Sequence, residues 1–196
     1  MTTLSHDIER HPLEPFIPAK AKILMLGSFP PQRKRWSMEF FYPNLQNDMW
    51  RIMGLIFHDD THYFEYSSER RFDKEAIVEL CITRGIALYD TACEVRRLRD
   101  NASDKFLEVV TPTDIEQLLT SLPECRAIVT TGQRATEVIT TLAGCATPAI
   151  GSFVEVCIGG RTLNFWRMPS SSRAYPLALD KKAEHYRIML HHEGLL

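Results

Sequence analysis

Two stretches of the sequence combine residue types that suit the binding of a planar heterocycle and of phosphate. The run Phe40–Asn47 (FFYPNLQN) places aromatic rings beside side-chain amides, and the run Ser170–Arg173 (SSSR) places three hydroxyls before a guanidinium. Aromatic rings stack on bases, and amides hydrogen-bond to the edges of bases. Hydroxyls and backbone amides bind phosphate oxygens. These residue types indicate a ligand that has both a base and phosphate groups.

The elements that must position these stretches follow from the apolar pattern. Short continuous apolar runs predict strands buried on both faces of a parallel sheet, at Ile23–Leu26, Ile86–Tyr89 and Ala127–Thr131. The dipeptide Gly159-Gly160 between two further runs predicts a hairpin. Helical spacing and end signals predict the helices Asp48–Phe57, Asp73–Arg84, one starting at Thr113, Gln133–Gly144 and Leu177–His192.

This alternation predicts an α/β fold, namely a three-layer sandwich with a central, mainly parallel four-stranded sheet flanked by helices. We expect one domain over residues 1–196, with about the first 20 residues forming an arm. Ligands bind such a sheet at the carboxyl ends of its strands. The loops Gly27–Asn47 and Met168–Pro176, together with Asp90, follow predicted strands. The base-binding and phosphate-binding stretches should therefore meet at one edge of the sheet.

Composition limits the class of function. The 196 residues include 23 Lys and Arg against 25 Asp and Glu, a formal net charge of −2, which excludes a protein that coats nucleic acid by bulk electrostatics. Clumps such as Arg33–Arg35 leave a local basic face open, with a solvated surface as the alternative. No apolar run approaches the roughly 20 residues of a membrane helix, and the first residues lack the apolar segment of a secretory signal.

The cysteines and histidines argue against a metal site. Five widely spaced cysteines without a CxxC pair predict reduced thiols and a cytoplasmic location, and they disfavour zinc or an iron–sulfur cluster. The cluster of His and Asp residues at 58–62 matches no closed ligand spacing, so a solvated loop is the better interpretation. We therefore expect no metal and no cofactor.

The order of several short motifs resembles the uracil-DNA glycosylase superfamily, and most of all its mismatch-specific and hypoxanthine-DNA glycosylase branches. The motifs are LMLGSFP, FFYPNLQNDMW, IALYD, IVTTG and RMPSSSRAY, in that order along the chain. The resemblance spans roughly residues 22–190. It implies a hydrolase that flips a damaged base out of DNA and cleaves the bond between that base and deoxyribose.

The resemblance implies a base-binding role for Ser28, Phe29, Phe40 and Phe41. Phe41 is the expected stacking platform, and Phe40 is the neighbour that could replace it. The alternative is that one ring of this pair fills the core. Many members of the superfamily place an acid or an amide in the first turn, where it activates water. The turn Gly27–Pro30 of this sequence has neither.

The resemblance assigns the catalytic role to Asn47 and Asp90. The hypoxanthine-type branch uses an Asn before the aromatic helix, and Asn47 occupies that position. Its amide can orient a water toward an oxocarbenium-like sugar, or it can cap the helix that follows. Asp90 stands where the superfamily often keeps a base-reading amide or acid. Its carboxylate could accept a bond from a ring N–H or polarise water, and a turn-forming Asp is the alternative.

The late loop is expected to grip the DNA backbone through Ser170, Ser171, Ser172 and Arg173. Several relatives carry a His in this loop, which this sequence lacks. Lys34 is the one lysine of the predicted pocket loops, so a Schiff-base mechanism is disfavoured.

These features predict a monofunctional DNA glycosylase for uracil or hypoxanthine in base-excision repair. We expect DNA as its partner, no membrane association and a monomer. The alternative is a catalytically weak module that binds nucleic acid or nucleotides on the same fold.

Overall fold

The computed structural model describes residues 7–98 and 106–196. Its strands are β1 (Ile8–Arg10), β2 (Ile23–Gly27), β3 (Glu65–Tyr66), β4 (Arg71–Phe72), β5 (Ile86–Asp90), β6 (Ala92–Arg97), β7 (Leu107–Pro112), β8 (Ala127–Thr130), β9 (Ser152–Ile158) and β10 (Arg161–Arg167). Its α-helices are α1 (Met49–His58), α2 (Lys74–Arg84), α3 (Ile115–Thr120), α4 (Gln133–Ala143) and α5 (Leu179–His192). A short 3₁₀ turn covers Arg33–Arg35.

The central sheet has five strands in the order β5-β2-β8-β10-β9. The first four run parallel, and β9 pairs antiparallel with β10. The prediction of a four-stranded, mainly parallel sheet is therefore wrong in its strand number. The cause is the hairpin at Gly159 and Gly160, whose positive φ angles of 56° and 74° allow a tight reversal. That reversal returns the chain as β10 alongside β9, so both arms of the hairpin join the sheet and β9 becomes its fifth, edge strand.

The inner strands are covered on both faces. Every residue of β2, β5 and β8 is buried, which is the burial expected of parallel strands between two layers. Helix α1 packs against α5, and fully buried rings such as Trp50 of α1 and Tyr186 of α5 fill the core. The α/β class is confirmed.

A second, smaller sheet has the order β1-β6-β7 and is antiparallel. The sequence after Asp90 is too charged to assign from its pattern, and in the structure it forms β6 and β7. The segment before Pro18, predicted to be an arm, supplies β1 to this sheet, and Phe16 bridges to Leu88 of the central sheet. This pairing brings the N-terminal segment against the end of β5.

Helix ends agree closely with the sequence signals. Asp73 caps α2 by accepting a hydrogen bond from the Ala76 N–H at 3.1 Å, as its position predicts. Gly144 ends α4 in the left-handed conformation, with φ 61°. The start of α3 differs by one residue, because Asp114 rather than Thr113 is the N-cap and its carboxylate accepts from the Gln117 N–H.

Candidate active site

A cleft of about 790 Å³ opens at the carboxyl ends of β2 and β5. All but one of the residues proposed from the sequence for catalysis, base binding or backbone binding line it. These are Ser28, Phe29, Phe41, Asn47, Asp90, Ser170, Ser171, Ser172 and Arg173. Three segments that are far apart in the sequence therefore meet at one place, as expected at the carboxyl ends of parallel strands.

The floor of the cleft is polar and is built around Gly27. Gly27 pairs with Asp90 across the two parallel strands, and a Cβ at position 27 would lie only 2.4 Å from Asp90 Oδ1. The absence of a side chain at Gly27 thus makes room for the carboxylate. Beside it, the Tyr42 hydroxyl and Thr131 Oγ1 are hydrogen-bonded at 2.9 Å. Burial, together with the negative charge of Asp90, raises the pKa of Tyr42 far above its usual value, so this phenol remains neutral.

The Asp90 carboxylate has a partner that the sequence did not reveal. Oδ2 of Asp90 lies 2.9 Å from Nε2 of His11, and Nδ1 of His11 lies 2.7 Å from the Leu13 carbonyl oxygen. The His11 side chain is only 2% exposed and the Asp90 side chain 10%. His11 lies 79 residues before Asp90 in the chain and belongs to none of the motifs. The sequence therefore contains no signal that links the two residues.

The two adjacent phenylalanines have different surroundings. Phe41 lines the cleft, and its ring lies 6.3 Å from Tyr89 and 6.2 Å from His11. Phe40 does not line the cleft, because its ring packs in the core at 5.1 Å from Phe16 and stacks at 6.4 Å on Trp50. Both rings are buried in the core, with Phe40 6% and Phe41 4% exposed, but of the two only Phe41 lines the cleft. Phe40 therefore lies away from the expected base-binding position.

Asn47 makes a local hydrogen bond and also lies at the cleft. Its Oδ1 accepts from the Met49 backbone N–H at 2.9 Å, which stabilises the first turn of α1, although Asp48 is the N-cap residue by position. An amide oxygen has two lone pairs, so this bond leaves one for a water. The side chain can therefore stabilise the helix start and still face a ligand.

The loop that carries Asn47 and the late loop are joined by main-chain contacts. Asn47 and Ser172 form an antiparallel bridge, and the Asp48 N–H donates to the Ser171 carbonyl oxygen at 2.7 Å. Ser171 is 1% exposed, so its hydroxyl is less accessible than those of its two serine neighbours, which are half-buried.

Buried charges reinforce this junction. Asp48 accepts from Arg173 Nε at 2.9 Å through one oxygen and from Lys182 Nζ at 3.2 Å through the other. Lys182, which is 1% exposed, also donates to the Ser172 carbonyl oxygen at 2.8 Å. One of the five N–H groups of Arg173 is therefore used within the protein. The side chain is 44% exposed, and the remaining donors can reach a phosphate.

Residues 58–62, the metal cluster weighed from the sequence, show no such arrangement. The His58 ring stacks on Tyr63 with centroids 3.5 Å apart. In the described residues, no group of three or more His, Cys, Asp or Glu side chains could hold a metal ion. Within the same part of the chain, no helix is long and apolar enough to cross a membrane.

Comparison with known proteins reveals a similarity of fold. No family model matches the sequence, and no curated protein sequence is similar to it. The solution NMR structure of a "putative Uracil DNA glycosylase" from Methanosarcina acetivorans superposes with a TM-score of 0.66 at 21% sequence identity, covering 96% of this chain and 99% of that one. This chain has that fold.

The resemblance inferred from the motifs is thus confirmed at the level of the fold. The similarity extends over nearly the whole architecture, because the superposition covers 96% of this chain and 99% of that one. In this chain that fold brings Asn47, Asp90 and Phe41 to a common cleft.

Proposed function

We propose that this protein is a monofunctional DNA glycosylase, which hydrolyses the N-glycosidic bond of a flipped uracil or hypoxanthine with water as the nucleophile. The observation that carries the proposal is the convergence of an aromatic ring, a carboxylate, an amide and a serine-rich loop on one cleft. The cleft volume of about 790 Å³ lies within the range of small-molecule sites, and it suits one nucleotide.

Base recognition falls to Phe41 and Asp90. Extrusion of a base from a duplex costs a few kcal/mol, and stacking on an aromatic ring returns about 1–3 kcal/mol. Phe41 offers such a ring beside the polar floor. The carboxylate of Asp90 then accepts a hydrogen bond from the ring N–H of uracil or hypoxanthine. A base whose edge is apolar or carries an acceptor at that position forms no hydrogen bond with it.

Hydrolysis falls to Asn47. As the glycosidic bond breaks, the base departs with the bonding electrons and positive charge builds on the sugar. An ordered water held on the free lone pair of Asn47 Oδ1 is positioned to bond to C1′, and its proton passes to the departing base, which leaves neutral. The Met49 N–H fixes the plane of the amide, so the water position is set before the substrate arrives. No lysine lines the cleft in the described part of the chain, which favours water over a Schiff base.

The alternative is a binding module that does not cleave. It is favoured by one feature, the turn Gly27–Pro30, which lacks the acid or amide expected there. The two functions differ in turnover, because a binding module retains a flipped base without releasing it.

The test is release of the free base from oligonucleotides that contain uracil or hypoxanthine, single-stranded and duplex, followed by chromatography. We expect multiple turnovers for the wild type and loss of at least about a hundredfold in Asn47→Ala, typical of losing a transition-state group. Asp60→Ala is a matched control, because Asp60 Oδ1 accepts from the His62 N–H at 2.8 Å in the same kind of turn, and Asp60 does not line the cleft.

Asp60→Ala should retain base release within a few-fold, and both variants should bind the oligonucleotide within a few-fold of wild type. Thermal melting separates lost chemistry from lost folding. Tight binding by the wild type without release of either base would instead establish the binding module. Equal activity of a folded Asn47→Ala variant would remove Asn47 from the mechanism.

A further inference from the structure

The N-terminal strand β1 delivers His11 to the rear of the cleft. The His11 backbone N–H donates to the Cys93 carbonyl oxygen at 2.7 Å, which places the residue directly beside the start of β6. Its ring is enclosed by other rings, at 5.3 Å from Phe29 and 4.7 Å from Tyr89. The imidazole therefore has one fixed position, and its Nε2 points to Asp90.

The two oxygens of the Asp90 carboxylate have different surroundings, because one is bonded to His11 and the other faces the cleft floor. Oδ2 is 2.9 Å from His11 Nε2, whereas Oδ1 lies over Gly27 at the floor. An aspartate rotates freely about its last side-chain bond, because that torsion is broad. The bond to His11 removes this rotation and holds Oδ1 toward the ligand.

A bidentate ion pair fixes the strand that carries His11. Arg97 donates from Nε and Nη2 to the two carboxylate oxygens of Glu9 at 3.0 and 3.1 Å. Its Nη2 also donates to the Pro30 carbonyl oxygen at 3.2 Å, in the turn that forms one wall of the cleft. Because β1 is held to both β6 and this turn, the His11 ring is coupled to the geometry of the site.

We propose that His11 is a positioning residue, which acts on the base through Asp90 by fixing the orientation of that carboxylate. The proposal rests on the proposed function, since it assumes that Asp90 faces the base. Nothing in it requires His11 to touch substrate. It implies that the contribution of His11 disappears when Asp90 cannot accept the bond.

The binding test uses an oligonucleotide with 2′-fluoro-2′-deoxyuridine, whose fluorine slows cleavage by destabilising the sugar cation, and the same strand with 2′-fluoro-2′-deoxycytidine, whose ring N3 is an acceptor and cannot donate to Asp90. The readout is the dissociation constant of the control strand divided by that of the deoxyuridine strand, so a higher ratio means stronger preference for uracil. We expect His11→Phe, which keeps a ring in the aromatic cage, to lower this ratio about tenfold, as losing a hydrogen bond to a charged group does. His11→Gln, which retains an N–H donor, should recover most of it.

The double variant His11→Phe with Asp90→Ala should show no lower ratio than Asp90→Ala alone, since the two residues act as one unit. His62→Phe is the control, because His62 is exposed and its ring is 65% accessible. Additive losses in the double variant, or an unchanged ratio in folded His11→Phe, would overturn the proposal.

A second measurement needs no His11 variant and no activity. The ¹⁵N chemical shift of His11 Nε2, assigned in uniformly labelled protein, should move when Asp90 is changed to Asn, whereas the other imidazole shifts should not. An unmoved Nε2 shift would overturn the proposal. If the shift moves but the wild type neither binds the two oligonucleotides with different affinity nor releases a base, the proposed function fails. The role of His11 in base selection then fails with it.

Discussion

Asn47 and Ser172 lie opposite each other in an antiparallel bridge, so the loop before α1 and the loop after β10 behave as one structural unit. The first loop carries the amide proposed to hold water, and the second carries the hydroxyls proposed to hold phosphate. Their main chains are in contact, which fixes the separation between the two groups. A backbone phosphate gripped by the late loop is therefore held at a set distance from Asn47.

The late loop should contribute to the salt dependence of DNA binding. We expect Arg173→Gln, which can still donate to Asp48, to reduce the slope of log affinity against log salt by roughly one unit. Ser170→Ala with Ser172→Ala should weaken binding but leave the slope unchanged, because hydroxyls carry no charge. Fluorescence anisotropy over a salt series measures both effects. Lys181→Gln, an exposed α5 residue that does not line the cleft, is the control, and an unchanged slope for Arg173→Gln contradicts the proposed contact.

Substitutions of the neighbouring residues Phe40 and Phe41 should have different effects, the first mainly on stability and the second mainly on activity. Phe40→Ala removes a buried core ring and should destabilise the protein by about 3–5 kcal/mol, as large-to-small core changes do. Phe41→Leu keeps most of the buried volume and loses the ring face at the cleft. Loss of stacking worth about 1–3 kcal/mol should lower the rate of base release about tenfold or more. The free energy of urea unfolding should fall less than it does in Phe40→Ala. Equal base release by wild type and Phe41→Leu would show that the ring is only a wall.

Asp90→Asn should change base selectivity. The amide oxygen introduced by this substitution can still accept from His11 Nε2, which directs the new amino group to the floor, where the wild type has an acceptor. A hydrogen bond to a charged group contributes about 1.5–3 kcal/mol. The ratio of uracil to hypoxanthine release should thus move by roughly tenfold or more. Single-turnover rates on both substrates measure it. If both rates fall by the same factor, Asp90 positions water or the turn and does not read the base.

Glu193 should contribute to stability toward acid. Burial alone would raise the pKa of this carboxyl, but hydrogen bonds from Trp166, Asn164 and His192 hold it below the usual 4.5. A lowered pKa in the folded state stabilises the protein above the unfolded-state value, and the benefit is lost as the pH falls through the lower, folded-state value. We expect the unfolding free energy of Glu193→Gln to fall less steeply than that of wild type below about pH 5.

Urea unfolding at a series of pH values from 7 to 3 measures this difference. Glu184→Gln is a matched control on the same helix, because the Glu184 side chain is 61% exposed and pairs only with Lys181 in the described contacts. Curves for wild type and Glu193→Gln that stay parallel down to pH 3 would rule out this role for the carboxyl.

Local patterns predict the parts of the fold that local physics determines. The inner strands β2, β5 and β8 are readable because burial on both faces requires continuous apolar runs. The capping roles of Asp73 and Gly144 can be predicted because a cap interacts with residues only a few positions away. Strand β9 is predicted as one arm of the hairpin at Gly159-Gly160, but its membership of the central sheet is not, because that depends on where the hairpin packs.

The site is predictable where a motif lies on one loop and not where the contact is long-range. Phe40 and Phe41 are adjacent and chemically alike, so only packing decides which one reaches the cleft. His11 lies 79 residues from Asp90, and Lys182 lies 134 residues from Asp48. Such contacts depend on strand order and helix packing, for which a single sequence contains no periodic signal.

The ion pair between Lys182 and Asp48 ties the junction of the two cleft loops to the last helix of the chain. A ribosome releases the chain from its N-terminus, so His11, Asn47 and Asp90 emerge long before α5 does. Until Lys182 has emerged, Asp48 and the Ser172 carbonyl oxygen lack the ammonium that joins them. A nascent chain can therefore contain every residue proposed for catalysis and base reading while its cleft still lacks one of the contacts that hold the loops together. That contact forms only when the last helix packs against the first.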